Sequence, residues 1–209
     1  MDRGMKLAAA LISAVVLAGC GGGARVAAER PADVDWRRLA TDADRTRLRD
    51  WRQAWIEARA KVVVAPGGPA ALSRDPALFD ADRALAKAVL AVGDYRCRTI
   101  KLGPRNLAMT AVSVGGWGPC AVTRDGATTR FATTGVQRAD GHLFADTDGR
   151  SIFLGTAAFG DETRTMPYGR DARRNMAGIV ERIGEGRWRL VLPYPGFEST
   201  LDTIEIVAR

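Results

Sequence analysis

The sequence has few of the residues that most often carry catalysis or bind metal ions. Its 209 residues include a single histidine, His142, and three cysteines. A zinc site with two histidine ligands is therefore impossible, and the sequence contains no Cys-x-x-Cys pair, G-x-S-x-G elbow or Walker loop. Because His142 directly follows Asp140-Gly141, a turn signal, we expect it at the solvated start of a strand. We therefore predict no catalytic residue, no metal site and no cofactor.

Lysine is also scarce, and positive charge is not clustered. Four of the 31 basic residues are lysine, and acidic residues lie between the arginines throughout the chain. A nucleic-acid interface needs basic residues gathered on one face, so we expect no nucleic-acid partner. The length, with 46% hydrophobic and 26% charged residues, is typical of a single globular domain.

The one long apolar run lies near the N-terminus and indicates an export signal. Residues 7–16 are almost all apolar and follow two basic residues, but a helix needs about 20 such residues to cross a bilayer. The next segment, 17–20, reads Leu-Ala-Gly-Cys. It resembles the lipobox of bacterial lipoproteins, which implies cleavage after Gly19 and lipid attachment to Cys20. The alternative is an ordinary secretory signal with an incidental cysteine.

The lipobox resemblance predicts where the mature protein resides. Residues 1–19 would be the lipoprotein signal peptide, and residues 20–34, which begin with a glycine run, a flexible tether. Two or three acyl chains anchor a protein stably, so we expect a membrane partner through Cys20 and a domain facing the periplasm. Gly21 follows the cysteine where an aspartate would favour the inner membrane, so we expect the outer membrane.

Two cysteines remain once Cys20 carries lipid. In an oxidising compartment we expect Cys97 and Cys120 to form a disulfide, which the loop-entropy relation values at about 3 kcal/mol. The alternative is a pair of buried free thiols.

Apolar residues recur at helical spacing over residues 35–92. Thr41 followed by Asp44 predicts a capped helix start, and an apolar stripe that includes Trp51 and Trp55 predicts a helix face packed on a core. A second helix is predicted to start at Asp75-Pro76 and to end near Gly93.

From residue 93 the periodicity changes to the two-residue alternation of strands. Asp-Gly pairs at 125–126, 140–141 and 148–149 predict hairpin turns, and Trp188 alternates with arginines along 187–192. The predicted fold is α+β, with N-terminal helices packed against an antiparallel β-meander or small β-barrel of about eight strands. Residues 35–209 would form this single domain, helical over 35–92 and β-rich over 93–209.

The segment Tyr95-Arg96-Cys97-Arg98 alternates in the same way. On a strand, Arg96 and Arg98 would share a face, where they would either bind an anion or act as ordinary surface charges. The candidate contacts for a ligand or partner are Tyr95, Arg96, Arg98, Trp117, Tyr168 and Trp188.

A third group of candidates consists of carboxylates. Asp161, Glu162 and Asp171 would serve acid–base chemistry if their pKa values were raised. The alternative, favoured by the four neighbouring arginines, is a solvated loop of mixed charge.

Two segments carry a resemblance to a known family. Residues 95–103 (YRCRTIKLG) and 187–193 (RWRLVLP) resemble an uncharacterised family of proteobacterial exported proteins, domain of unknown function 4893. The family brings no established activity and therefore implies no catalytic residue.

Three functions follow from these observations. A non-catalytic protein-interaction module of the cell envelope predicts a filled barrel and an exposed apolar patch around Trp117 and Tyr168. A calycin-like carrier of a lipid or other small molecule predicts an apolar cavity lined by residues such as Trp188. A hydrolase predicts a cleft that holds the three carboxylates.

Overall fold

A computed structural model describes Met1 and residues 34–106, 110–160 and 162–209. The predicted lipidation site Cys20, the cleavage site Gly19 and the carboxylate Asp161 lie outside the described residues. The predictions made for them therefore stay predictions.

Within the described residues, five short helices precede the strands. They are α1 (Trp36–Leu39), α2 (Asp42–Arg49), α3 (Trp51–Val63), α4 (Gly68–Ser73) and α5 (Pro76–Phe79). None of the helices in the described part of the chain is long and apolar enough to cross a bilayer.

The α2–α3 segment follows the sequence pattern. The Thr41 hydroxyl accepts a hydrogen bond from the Asp44 backbone N–H at 3.2 Å, as the predicted cap requires. Trp51 and Trp55 on α3 are buried in one cluster with Ile100 and Leu102. The aromatic stripe is therefore a packing surface, as expected.

The second predicted helix is much shorter than expected. It starts at Pro76 but ends at Phe79, and residues 80–92 have irregular structure. The backbone N–H of Leu85 donates to the Arg182 carbonyl, that of Ala88 donates to the Asp148 carbonyl, and Lys87 has a φ of 64°. Hydrogen bonds to the sheet thus replace those that a helix would form.

The strands form a closed antiparallel barrel with one additional strand, which agrees with the predicted fold class. They are β1 (Gly93–Pro104), β2 (Val112–Val114), β3 (Gly118–Asp125), β4 (Thr128–Thr133), β5 (Gln137–Thr147), β6 (Arg150–Phe159), β7 (Asn175–Gly184), β8 (Arg187–Pro193) and β9 (Ser199–Ala208). From β3 onward each strand pairs with the next in the chain, and β9 pairs with β1 from Tyr95 to Pro104. Strand β2 pairs with β1 beyond the end of β3.

Two of the three predicted Asp-Gly turns are present. Asp125-Gly126 connects β3 to β4, and Asp148-Gly149 connects β5 to β6. The third pair lies in the middle of β5, so the predicted turn before His142 is wrong. Gly141 faces Gly155 on β6, and a Cβ on Gly141 would lie 2.3 Å from the Gly155 Cα. This glycine is needed for close strand approach, not for a turn.

Large side chains fill much of the barrel interior. Phe131 and Phe153 contact each other edge to face, with 6.0 Å between ring centroids, and both are fully buried. Leu190 and Ile206 are also fully buried in this inner cluster. A barrel of eight strands encloses a space that side chains can fill, and these four side chains fill it around the two phenylalanine rings.

A charged pair lies outside the barrel wall, beneath the helical layer. Arg189 on β8 and Glu181 on β7 are opposite each other, both fully buried, with Arg189 Nη2 2.7 Å from Glu181 Oε2. Arg189 also donates to the carbonyls of Leu78, Asp80 and Arg83. The guanidinium therefore ties the irregular 80–92 segment and its entry helix to the barrel.

Candidate functional site

A disulfide joins the first and third strands. Cys97 on β1 is bonded to Cys120 on β3, as predicted, and both side chains lie in the inner cluster. Arg96 and Arg98 point to the outer face, as the alternation predicted.

The outer face beside the disulfide carries an exposed tryptophan between two arginines. The guanidinium carbons of Arg96 and Arg98 lie 5.1 and 4.7 Å from the Trp117 ring centroid, and Trp117 is 39% exposed. Arg98 also forms a 2.6 Å hydrogen bond to Glu205 on β9. Arg96 has no carboxylate within ion-pair distance among the described residues. We call Arg96, Arg98 and Trp117 the Trp117 surface.

Three other candidate contact residues do not join this surface. Tyr95 is buried, and its ring meets that of half-buried Trp188 edge to face inside the barrel, with centroids 6.0 Å apart. Tyr168 donates to Asp44 on α2 at 2.5 Å and accepts from the Thr41 N–H. Burial, followed by the Asp44 carboxylate, raises the pKa of Tyr168 to about 12. These residues contribute to packing and to helix attachment.

The described carboxylates of the 161–171 segment form ion pairs with Arg174. Arg174 Nη1 lies 2.6 Å from Glu162 Oε1, and Arg174 Nε lies 3.7 Å from Asp171 Oδ2. The hydrogen bond from Arg174 lowers the pKa of Glu162. A general acid needs a raised pKa, so Glu162 does not have the property that the hydrolase hypothesis requires.

The single histidine lies on the outer face of β5. Its Nε2 is 2.8 Å from Asp125 Oδ2 at the β3–β4 turn, and its side chain is 40% exposed. Among the described residues, no group of three or more His, Cys, Asp or Glu side chains is placed to hold a metal ion.

The barrel has a small cavity at the end where β1 and β5 bear Lys101 and Gln137. Its volume is about 60 Å³. The apolar part of its lining includes Met176, Leu192 and Ile204 from three neighbouring strands. We call this cavity the mouth cup.

Two charged side chains point into the mouth cup from adjacent strands. Lys101 and Asp202 are cross-strand partners, and both line the cavity. The Lys101 ammonium donates to Gln137 Oε1 at 2.7 Å and to Glu198. Asp202 accepts a hydrogen bond from the Ser199 hydroxyl. Burial raises the pKa of Asp202 to about 6, since the opposing contributions of Ser199, Lys101 and Arg105 only partly offset it.

A strained loop covers one side of the mouth cup. Tyr194 and Glu198, at the two ends of this loop, have positive φ values of 46° and 56°. Such conformations cost about 1 kcal/mol or more for non-glycine residues and cluster at functional sites. Arg105 holds the loop by donating to the carbonyls of Pro195 and Ser199 at 2.8 and 3.0 Å.

Positive charge predominates around the mouth cup. Among the described residues, five basic residues and one acidic residue line it, the basic ones being Arg47, Lys101, Arg138, Arg173 and Arg174. Arg138 donates to three backbone carbonyls, and neither Arg138 nor Arg173 forms a side-chain ion pair within the described ranges. The lining therefore favours a negatively charged ligand.

Sequence reasoning missed the mouth cup. Lys101 and Asp202 are about 100 positions apart, and only the β1–β9 pairing that closes the barrel makes them neighbours. One feature of the sequence could have indicated it. Lys101, one of four lysines, falls on the face of its strand that alternation assigns to the barrel interior.

A family model describes most of the chain. Residues 36–206 match the model for the domain of unknown function DUF4893. The chain belongs to this family. Both the Trp117 surface and the mouth cup lie within the residues that match the DUF4893 model. No curated protein and no solved structure matches the chain.

Proposed function

We propose that the protein is a lipoprotein of the bacterial cell envelope whose barrel domain binds another envelope protein without catalysing a reaction. Lipid on Cys20 would anchor it, preferentially in the outer membrane, with the barrel facing the periplasm. The observation that carries the binding role is the Trp117 surface, an exposed tryptophan between two guanidinium groups beside a disulfide.

The composition of this surface supports a protein partner. Tryptophan and arginine are enriched among the residues that dominate binding energy at interfaces. The disulfide and the β1–β3 pairing hold the strand that carries Arg96, so little conformational freedom is lost on binding. No carboxylate of the described residues pairs with Arg96, so the expected partner presents an acidic rim around an apolar pocket.

The other two hypotheses receive less support. A lipid carrier needs a cavity of several hundred Å³, whereas side chains such as Phe131 and Phe153 occupy the barrel interior and leave about 60 Å³ at one end. A hydrolase based on Glu162 would need that carboxylate free of Arg174.

Site-specific photocrosslinking in intact cells tests the partner. A photoreactive residue replaces exposed Gly116, next to Trp117, and a control places it at exposed Val89. We expect one envelope protein to crosslink from position 116 and not from position 89. The purified partner should then bind Trp117→Ala at least tenfold more weakly than wild type and Val89→Ala equally well. Equal affinity for Trp117→Ala would overturn the proposed role of this surface.

The anchor has an independent test. Cys20→Ser removes the sulfur that would carry lipid, so we expect metabolic labelling with a fatty acid to label the wild type and not this variant. Ala24→Ser, in the same segment, is the control and should be labelled like the wild type. A Cys20→Ser protein that still takes up the label would contradict lipid attachment at this residue.

A further inference from the structure

The mouth cup has charged and apolar side chains that are not part of the Trp117 surface. We propose that it binds a small organic carboxylate, with the carboxylate on Lys101 and a short apolar body on the floor of the cup. This inference concerns a second site and does not depend on the protein partner.

The volume limits the size of the ligand. A pocket for a drug-sized ligand has a volume of about 300–1,000 Å³, so 60 Å³ accommodates only a much smaller molecule. Propanoate and butanoate are small enough, and an acyl chain of a membrane lipid is not.

The lining defines the two ends of the ligand. Met176, Leu192 and Ile204 form an apolar floor that gains nothing from a fully hydrated ion such as phosphate. Above them, Lys101 has three N–H donors, of which Gln137 and Glu198 use two among the described residues. Glu198 is 44% exposed and already places a carboxylate on this ammonium, so a ligand carboxylate can take the same kind of contact.

Two aromatic rings lie at the rim. Phe159 and Phe197 meet edge to face with centroids 5.3 Å apart, and both line the cavity. Phe197 belongs to the strained loop between Tyr194 and Glu198. Arg105 maintains the strained conformation of this loop, which costs free energy. The loop places the apolar ring of Phe197 above the position proposed for the ligand.

Asp202 makes binding depend on pH. The charged groups around it are Lys101 on its cross-strand partner β1, Glu198 before β9 and Arg105 after β1, and Ser199 supplies a hydrogen bond. Ionised Asp202 repels a ligand carboxylate, whereas protonated Asp202 can donate a hydrogen bond to it. Because its pKa is about 6, affinity should increase as the pH falls from 7.5 to 5.5.

Ligand-detected NMR titrations test the proposal on the protein isolated from its membrane in detergent. The probes are acetate, propanoate, butanoate, octanoate and inorganic phosphate at pH 6. We expect saturable binding of propanoate and butanoate, with octanoate and phosphate at least tenfold weaker. Affinity that increases steadily to octanoate, or equal binding of phosphate, would overturn the proposal.

Two variants and one matched control locate the site. Ala157→Leu fills the cup from β6, and Ala132→Leu makes the same change at a half-buried position on β4 that does not line the cup. We expect at least a tenfold loss of butanoate affinity for Ala157→Leu and no change for Ala132→Leu. Lys101→Met should weaken binding tenfold or more, so the site remains testable if Ala157→Leu does not fold. Butanoate bound equally by Lys101→Met and wild type would refute the assignment.

The pH dependence of butanoate binding distinguishes a ligand in the mouth cup from a ligand bound elsewhere. Wild type should bind butanoate several-fold more tightly at pH 5.5 than at 7.5. Asp202→Asn should bind with the same affinity at both pH values. A pH dependence that persists in Asp202→Asn would rule out the cup. Trp117→Ala should bind butanoate normally, so failure of one proposal is distinguishable from failure of the other.

Discussion

Strands β1 and β8 look alike in sequence but differ in what lies outside them. Each alternates an aromatic or cysteine residue with arginines, and each has β9 as a neighbour. On β1, Arg96 is exposed and stacks on Trp117. On β8, Arg189 is fully buried beneath the helices and bound to Glu181 and three carbonyls.

This comparison shows what alternation can and cannot tell. A two-residue period assigns side chains to the two faces of a strand, and it did so correctly for both segments. Whether the outer face meets solvent depends on which part of the barrel the helices cover. The same residue type therefore has a structural role on one strand and is free to bind a partner on the other.

The largest expected effect comes from breaking the buried pair on β8. Arg189→Met leaves Glu181 fully buried, and Arg150 Nε, 3.1 Å from its Oε1, is then its one charged partner among the described residues. We expect the free energy of unfolding to fall by about 3–5 kcal/mol. Urea denaturation measures it, and Arg189→Met/Glu181→Leu should recover part of the loss because no unpaired carboxylate remains. A loss below about 1 kcal/mol would contradict the structural role.

The second largest loss of stability is expected from removing the disulfide on the inner face of β1. Replacing both Cys97 and Cys120 with alanine removes the covalent link between β1 and β3. We expect a loss of about 2–4 kcal/mol in unfolding free energy. Thermal denaturation of the variant, compared with wild type before and after reduction, checks this. If the reduced wild type and the variant both have the melting temperature of the oxidised wild type, the disulfide does not stabilise the fold.

A pH-dependent effect on stability is expected from Asp202 on β9, the strand that lies between β1 and β8. The pKa of Asp202 is about 6 in the folded chain and near 3.8 when unfolded, so folding takes up a proton between those values. The contribution of Asp202 to stability is therefore greatest below about pH 4 and decreases as the pH rises through 6, by about 2–3 kcal/mol. Asp202→Asn should be more stable than wild type at pH 7.5 by a similar amount. Chemical denaturation at pH 5 and 7.5 should show this difference shrinking at the lower pH.

The smallest effect is expected on the outer face of β1. Arg96→Met matches the β8 substitution in residue type and strand context but removes only an exposed stacking contact on Trp117. We expect a change within about 0.5 kcal/mol. Urea denaturation run in parallel with Arg189→Met gives the direct comparison, and equal losses in the two variants would show that exposure does not distinguish the strands.

Local signals in the sequence predicted the fold class well. Thr41 marked a helix start, Asp125-Gly126 and Asp148-Gly149 marked turns, and the period changed at residue 93, where β1 begins. The errors occurred where tertiary contacts override local preference. Gly141 serves strand approach, and the segment after Phe79 takes its hydrogen bonds from β7 and the β5–β6 turn.

The candidate sites were predictable to different degrees. The Trp117 surface joins residues about 20 positions apart, on β1 and directly before β3, that alternation and the cysteine spacing bring together, so its members could be named in advance. The mouth cup depends on the register between the first and last strands of the barrel. Nothing in the neighbourhood of Asp202 indicates that Lys101 lies across from it.

Closure of the barrel by β9 also governs how this chain must fold. Each residue of β1 from Tyr95 to Leu102 finds its β9 partner roughly 100 positions later, so closing the barrel requires contacts between distant parts of the chain. Such topologies fold in milliseconds to seconds rather than microseconds. Until the last ten residues arrive, one edge of β1 remains open to pairing with another chain. Truncation before β9 should therefore promote aggregation, and it also removes Asp202 and Ile204 from the mouth cup.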